Sequence, residues 1–164
     1  MKSFLLKRKR RCVLLRPSVD IIVIPISKPM LVGIYENNRL IKTIKKEGLT
    51  SDILPEIFDG LLRDYEIKRI IYAKGPGSFM AIKLAYVFFK TLEITKNIEF
   101  LAADGFYFNK NAPIKAVGNS FFVKKDDIIS IEKNLKEGEF FLPEKMDISD
   151  FSKDTSPLYV LKAV

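Results

Sequence analysis

Residues 68–79 read Lys68-Arg69-Ile70-Ile71-Tyr72-Ala73-Lys74-Gly75-Pro76-Gly77-Ser78-Phe79, and they decide the fold. Ile70 and Ile71 centre a short buried strand. The Gly-Pro-Gly-Ser segment cannot continue it and reads as a tight turn. Ser78 then has the side chain to cap a helix that starts at Phe79 and runs to about residue 94. Working upstream, residues 50–65 place Ile53, Leu54, Ile57, Phe58, Leu61, Leu62 and Tyr65 at helical spacing. Thr50 or Ser51 is the expected cap, and Pro55 falls near the first turn, where its missing N–H costs least. Further upstream lie three strands, at residues 21–26, 30–35 and 40–46. The turn Glu36-Asn37-Asn38-Arg39 joins the last two, with asparagines that tolerate positive φ. Downstream, residues 99–103 form the next strand. The order β-β-β-α-β-α-β specifies an α/β fold, a mixed sheet with flanking helices.

Beyond residue 105 the periodicity weakens. Residues 114–117, 121–123 and 128–131 read as strands, as do residues 159–161. Residues 133–139 are polar, and residues 147–154 are loop-like. The division expected is a basic arm over 1–18, a first lobe over 19–105 and a reduced second lobe over 106–164.

Composition removes several function classes. The 164 residues include no histidine, which excludes His-based triads, His-bearing zinc sites and imidazole proton shuttles. The single cysteine, Cys12, leaves no internal disulfide and suits a reducing compartment. Apolar runs near the N-terminus are short and broken by bases, unlike a signal sequence. A cytoplasmic protein that does not enter a membrane is expected.

The formal charge of +8 is unevenly placed. Lys2, Lys7, Arg8, Lys9, Arg10, Arg11 and Arg16 stand in the first 16 residues with no acid, so the rest of the chain is near neutral. The plain reading of this arm is a solvated tail, or a start placed too far upstream. The functional reading is salt-dependent affinity for phosphate backbones. A base-stacking RNA module would interleave aromatics with the bases, and here only Phe4 is available.

The glycine turn follows a strand and opens a helix, so its N–H groups and the helix dipole could hold an anion. It lacks the spacing of a Walker loop or a dinucleotide fingerprint. Gly75, Pro76, Gly77 and Ser78 are therefore read as a structural turn, with Gly77 expected in a backbone conformation that a β-carbon disfavours. No catalytic, metal or cofactor-binding residues are assigned.

The residues around the turn carry a resemblance. Gly75-Pro76-Gly77-Ser78-Phe79 resembles the Gly-Pro-Gly-Ser-Phe-Thr-Gly signature of the TsaB family, also called YeaZ. Met80 stands for the Thr, Ala81 for the Gly and Lys83 for the Arg that follows. Ile53-Leu54-Pro55-Glu56-Ile57 is similar to the family's Leu-Leu-Pro-x-Ile, and Pro157-Leu158-Tyr159-Val160 to its C-terminal Pro-x-Tyr-Leu. The resemblance covers residues 20–105. It implies an actin/Hsp70-like (ribonuclease H-like) lobe followed by a shortened second one. It also implies a non-catalytic scaffold role in tRNA threonylcarbamoyladenosine modification. The implied partners are a TsaD-type subunit in a heterodimer and the TsaE ATPase in a larger complex. A homodimer remains open, and tRNA would be met indirectly.

Two departures bear on this. Nucleotide-binding relatives of the fold carry an Asp and small residues after the first strand, whereas Ile24-Pro25-Ile26-Ser27-Lys28-Pro29 has neither carboxylate nor glycine. The second lobe is also too short for a full duplicate of the first. Both disfavour the alternative, a small nucleotide-binding phosphotransferase or peptidase-like enzyme of the same fold.

The helix from Phe79 is apolar on most of its circumference and is expected to be buried nearly all round. One mixed stripe, Met80, Lys83, Tyr86, Val87, Lys90 and Ile94, would be a solvent edge in a monomer or an interface in a complex. The resemblance favours the interface, beside the helix that carries Asp52, Glu56, Asp59 and Arg63. Tyr86 is its expected anchor, with Lys83 and Lys90 facing acids of the partner.

Overall fold

The computed structural model describes residues 4–8 and 11–160. Five strands form the main sheet. They are β3 (Ser18–Ile24), β4 (Met30–Glu36), β5 (Arg39–Lys46), β6 (Glu66–Ala73) and β7 (Glu99–Ala103), in the spatial order β5-β4-β3-β6-β7. β3 pairs antiparallel with β4 and parallel with β6, and β6 is parallel to β7, so the sheet is mixed as the sequence order required. Its middle strands are buried on both faces, which is why they read as unbroken Val/Ile runs rather than alternating ones. β5 lies at an edge, and its lysines face solvent. Asn37 and Asn38 both take positive φ (50° and 64°), the turn that matches strand twist in a two-residue hairpin.

Helices α1 (Thr50–Asp64) and α2 (Phe79–Lys96) cover one face. There Ile21, Val23, Ile70, Tyr72 and Phe100 of the sheet meet Leu54, Phe58, Ile82, Ala85 and Phe89 of the helices. Phe58 packs edge-on against Phe88, with ring centroids 5.6 Å apart, and locks the two helices together. One local expectation fails here. Leu49, not Thr50 or Ser51, is the first cap residue of α1, and no side chain caps that end. α2 is exposed along the mixed stripe that the sequence left open as a solvent edge or an interface, and Phe79 is exposed as well. The buried residues of the helix are Ala81, Ile82, Ala85, Phe89 and Leu92, while Phe79, Met80, Val87 and Ile94 are exposed. A helix on the outside of a sheet has one free side whatever its composition.

Among the described residues, the opposite face of the sheet carries no α-helix. Ile22, Ile24, Leu31, Tyr35, Ile71 and Leu101 pack under Phe108 of a short 3-10 turn and under Phe140, Leu142, Met146 and Phe151 of an extended segment. That segment crosses the whole sheet as a strap. At the β5 edge, the N–H of Leu40 donates to the Glu144 carbonyl (2.9 Å) and that of Met146 to Asn38 (2.8 Å). Tyr35 reaches through to the Pro143 carbonyl at 2.6 Å. At the β7 edge, Ala102 and Ser152 exchange two backbone bonds of 2.9 and 2.8 Å. The strap then turns back across the strand ends, where the Tyr72 hydroxyl donates to the Thr155 carbonyl and the N–H of Leu158 to Lys74.

Between the turn and the strap lies a small antiparallel meander: β8 (Ile114–Lys115), β9 (Ser120–Lys125) and β10 (Ile128–Lys133). Its apolar side, Ile114, Phe122 and Ile129, closes on Phe106 and Ile26. Tyr159 and Val160 lie in no strand, contrary to expectation, and Leu161 falls outside the described residues. In the arm, β1 (Phe4–Arg8) and β2 (Arg11–Leu15) form an antiparallel ribbon separate from both other sheets, an arrangement that the sequence did not lead us to expect. Ser18 already belongs to β3, so the arm ends before the expected boundary.

Candidate functional site

The turn after β6 meets the end of β3 and the start of the meander at one point. Gly75 has φ +115°, and a β-carbon there would lie 2.6 Å from the Leu158 carbonyl oxygen. Gly77 does not have the positive φ expected of it. It is glycine because Ile26 presses on it, with Ile26 Cγ2 2.6 Å from where a β-carbon would stand. Gly105 receives the other end of the same side chain, Ile26 Cδ1, again at 2.6 Å, and its N–H donates to the Gly75 carbonyl at 2.8 Å. Ile26 is thus a wedge between two glycines, and it touches the cores on both faces of the sheet and that of the meander. Ser78 caps α2 as expected, accepting from the Ala81 N–H at a long 3.4 Å.

A cleft of about 1380 Å³ opens between this turn and the meander. Its walls include Ile26, Lys28, Ser78, Phe79 and Met80 from the first lobe, Lys115 and Phe122 from the meander, and Glu137 and Glu139 from the start of the strap. Phe79 packs against Tyr159, which also lines the cleft, with ring centroids 4.5 Å apart. Among the described residues no group of His, Cys, Asp and Glu side chains is placed to hold a metal ion. Ser27, just after β3, is not free for a ligand: its hydroxyl lies 3.0 Å from the Ile24 carbonyl and 2.8 Å from that of Pro29. The contributions of Lys115, Glu137 and Glu139 had no signal in the sequence, because only the folded meander brings them to the turn.

The second candidate surface is the outer side of α1 and α2. Met80, Lys83 and Val87 are exposed along α2, with Tyr86 and Lys90 half-buried beside them. Ile94, at 75% exposure, extends the row. Lys83 has no ion-pair partner among the described residues. Lys90 pairs with Glu93 on its own helix at 2.8 Å, and the hydrogen bond it donates to that carboxylate raises its pKa. Tyr86 leans inward, its ring 6.1 Å from that of Phe100, so it is partly a core residue. On α1, Asp52, Glu56, Asp59 and Arg63 are all exposed. Glu56 meets Lys46 at 3.1 Å and Arg63 meets Asp64 at 3.6 Å. Exposed pairs of this kind contribute little to stability.

No protein-family model matches the chain, and no curated protein matches it. Solved structures do. YeaZ from Pseudomonas aeruginosa superposes with a TM-score of 0.55 over 80% of this chain and 70% of its own, at 14% identity. The chain shares the YeaZ fold. A second structure, an uncharacterized protein with similarity to peptidase YeaZ from Pseudomonas aeruginosa, gives a TM-score of 0.52 over 80% and 69%, also at 14% identity. At that identity the likeness is one of backbone. The five-stranded mixed sheet with its two helices is the α/β arrangement expected from the order of elements, and it is consistent with the actin-like, ribonuclease H-like class that the resemblance implied. No helix among the described residues is long and apolar enough to cross a membrane.

Proposed function

We propose that the chain is a TsaB-type scaffold subunit that binds a TsaD-type partner through the outer side of α1 and α2, and thereby serves tRNA threonylcarbamoyladenosine modification. The YeaZ fold and the Gly75–Ser78 signature support the family. The observation that carries the binding role is the exposed row on α2. Met80 is 61% exposed, Val87 54% and Ile94 75%, an apolar ridge that a solvated helix has no reason to keep. It has the makeup of an interface centre with a charged rim supplied by Lys83 and the acids of α1. Tyr86 joins from the edge, since half of it already packs in the monomer. TsaE would join the larger complex through TsaD, a homodimer would compete for the same ridge, and tRNA would be reached through the assembly.

The test is calorimetry with a purified TsaD-type subunit. Lys83→Glu combined with Val87→Asp changes two exposed positions and should leave the circular dichroism spectrum and melting temperature intact. Binding should weaken by about 2 kcal/mol or more, roughly 30-fold. Unchanged affinity in the folded variant would remove this surface from the reading.

The alternative, a small phosphotransferase or peptidase-like enzyme, is favoured by one observation only: the cleft has lysines and glutamates on its walls. Against it, the segment after β3 offers no carboxylate where relatives of the fold that bind nucleotide place one. ATP turnover above about 0.1 per second, lost on Lys28→Ala, would make the enzyme the better account.

A further inference from the structure

The two edges of the main sheet are protected. The strap bonds to β5 at one side and to β7 at the other, and β5 carries lysines along its length. The outer edge of β10 has no such cover among the described residues. β10 is the end strand of its sheet, its register with β9 runs from Ile128 to Lys133 without a bulge, and it contains no proline. Ile128 is 70% exposed on it and Ile131 41%. An edge that is β-branched, unbulged and uncovered is a template for another strand.

The hairpin fixes which backbone groups that edge offers. Asp126 and Asp127 have φ of 51° and 62°, a two-residue turn that closes on a hydrogen-bonded pair, here Lys125 and Ile128. Bonded and non-bonded pairs alternate along an antiparallel ladder. Ile128, Ser130 and Glu132 therefore bond to β9, and the N–H and C=O groups of Ile129, Ile131 and Lys133 point away from it. Among the described residues, no backbone group from elsewhere in the chain bonds to those three. An added strand must meet them with outward-facing groups of its own. For a second β10, this allows only registers in which odd-numbered residues face odd-numbered ones.

One of these registers also matches the side chains. With Ser130 facing Ser130 of the second copy, Ile129 faces Ile131, Ile128 faces Glu132, and Lys133 faces Asp127. Lys133 has no ion pair of its own among the described residues, and the Asp127 side chain is 98% exposed. The neighbouring registers are poorer. Centring on Ile129 sets Asp126 against Glu132 and Lys125 against Lys133, and centring on Glu132 sets that carboxylate against itself. Like charges placed directly opposite destabilise a strand pair. Centring on Ile131 puts Ile129 against Lys133 and leaves Asp127 without the lysine.

We propose that β10 is a self-pairing edge, through which two copies of this chain join antiparallel about a twofold axis at Ser130 and merge their meanders into one continuous sheet. A twofold contact of this kind is closed, because each copy gives up the edge it uses and only the two-residue β8 remains at the ends. The pairing goes beyond the scaffold reading and is separate from a homodimer across the ridge, since it uses no residue of α1 or α2. Six residues a side make a small contact, so the dimer is a weak one.

Sedimentation equilibrium of the full chain, taken to high micromolar concentration, should show monomer and dimer in exchange. Ile131→Pro removes an outward N–H that β9 does not use, so the hairpin should survive while dimerisation weakens about tenfold or more. Circular dichroism checks the fold. Ser130 and its copy form a non-bonded pair with Cα atoms about 4.5 Å apart, within reach of a disulfide. Cys12→Ser/Ser130→Cys should therefore give a covalent dimer with oxidised glutathione much faster than Cys12→Ser/Glu132→Cys, whose cysteines lie apart in this register. The ridge variant Lys83→Glu/Val87→Asp should dimerise like the parent. A parent that stays monomeric would leave the edge to a strand of some other protein and overturn the proposal. So would a folded Ile131→Pro variant that dimerises like the parent, equal cross-linking at both cysteines, or loss of the dimer in the ridge variant. If Ile131→Pro fails to fold, the two cysteine variants decide the question.

Discussion

Ile26 and the two glycines that clamp it allow a sharp test of how the turn is built. A β-carbon at Gly77 would stand 2.6 Å from Ile26 Cγ2 and 2.9 Å from its Cβ, both close to the backbone and unable to swing away. A β-carbon at Gly105 would stand 2.6 Å from Ile26 Cδ1, the far end of the same side chain. Overpacking of this kind costs about 1–3 kcal/mol. In a protein of this size that is about 2–4 °C of melting temperature for each kcal/mol. Ile26→Val removes Cδ1 and keeps Cγ2. It should cost about 0.5–1.5 kcal/mol alone. It should largely rescue Gly105→Ala, with a coupling of about 1 kcal/mol or more, and rescue Gly77→Ala hardly at all. The loss of unfolded-state freedom on replacing glycine is the same in both backgrounds and cancels from the cycle. The assay is urea unfolding of the parent, the three single variants and the two double variants, followed by far-ultraviolet circular dichroism. Equal rescue of both glycines, or a Gly77→Ala variant as stable as the parent, would refute the wedge.

Two further outcomes follow from the same structure. Ser78→Ala should cost only about 0.5–1 kcal/mol in thermal unfolding, at the low end for a cap because its bond to the Ala81 N–H is long; a loss several times larger would mean the hydroxyl has another role. Asp20 is raised above its ordinary pKa because burial outweighs the pull of Arg69. A carboxyl whose folded pKa exceeds its unfolded value gains stability as pH falls through the folded pKa toward the unfolded one near 3.8. The stability of the parent minus that of Asp20→Asn, from urea unfolding, should therefore rise as pH drops from neutral to about 4. A fall would show that the Arg69 pairing, 3.4 Å away, prevails over desolvation.

The main sheet and both helices were legible in the sequence because each has a periodicity or an unbroken β-branched run of its own. Ile21 to Ile24 can only be a buried strand, and Asn37-Asn38 can only be the turn of a tight hairpin. Contacts made at a distance were not legible. Gly75 and Gly77 look equivalent in sequence, yet one is needed for its φ and the other for Ile26, a residue some 50 positions earlier. The strap has no period to read, since its hydrogen bonds go to the edges of a sheet formed elsewhere. The α2 row was correctly picked out as mixed. The sequence could not tell that Tyr86 would turn inward to Phe100 or that Lys90 would be taken by Glu93.

The strap has a consequence for how the protein is made. Tyr35 is sealed by Pro143, 108 residues later, and Ala102 by Ser152. While the chain emerges from the ribosome, one side of the sheet can be shut by α1 and α2 almost at once, since they lie within it in sequence. The other side, with Ile22, Ile24, Ile71 and Leu101, stays uncovered until the strap has cleared the exit tunnel. For that interval the nascent lobe presents a broad apolar wall to its surroundings, which makes it a natural client for a chaperone and gives any nonsense codon before residue 140 a product prone to aggregate.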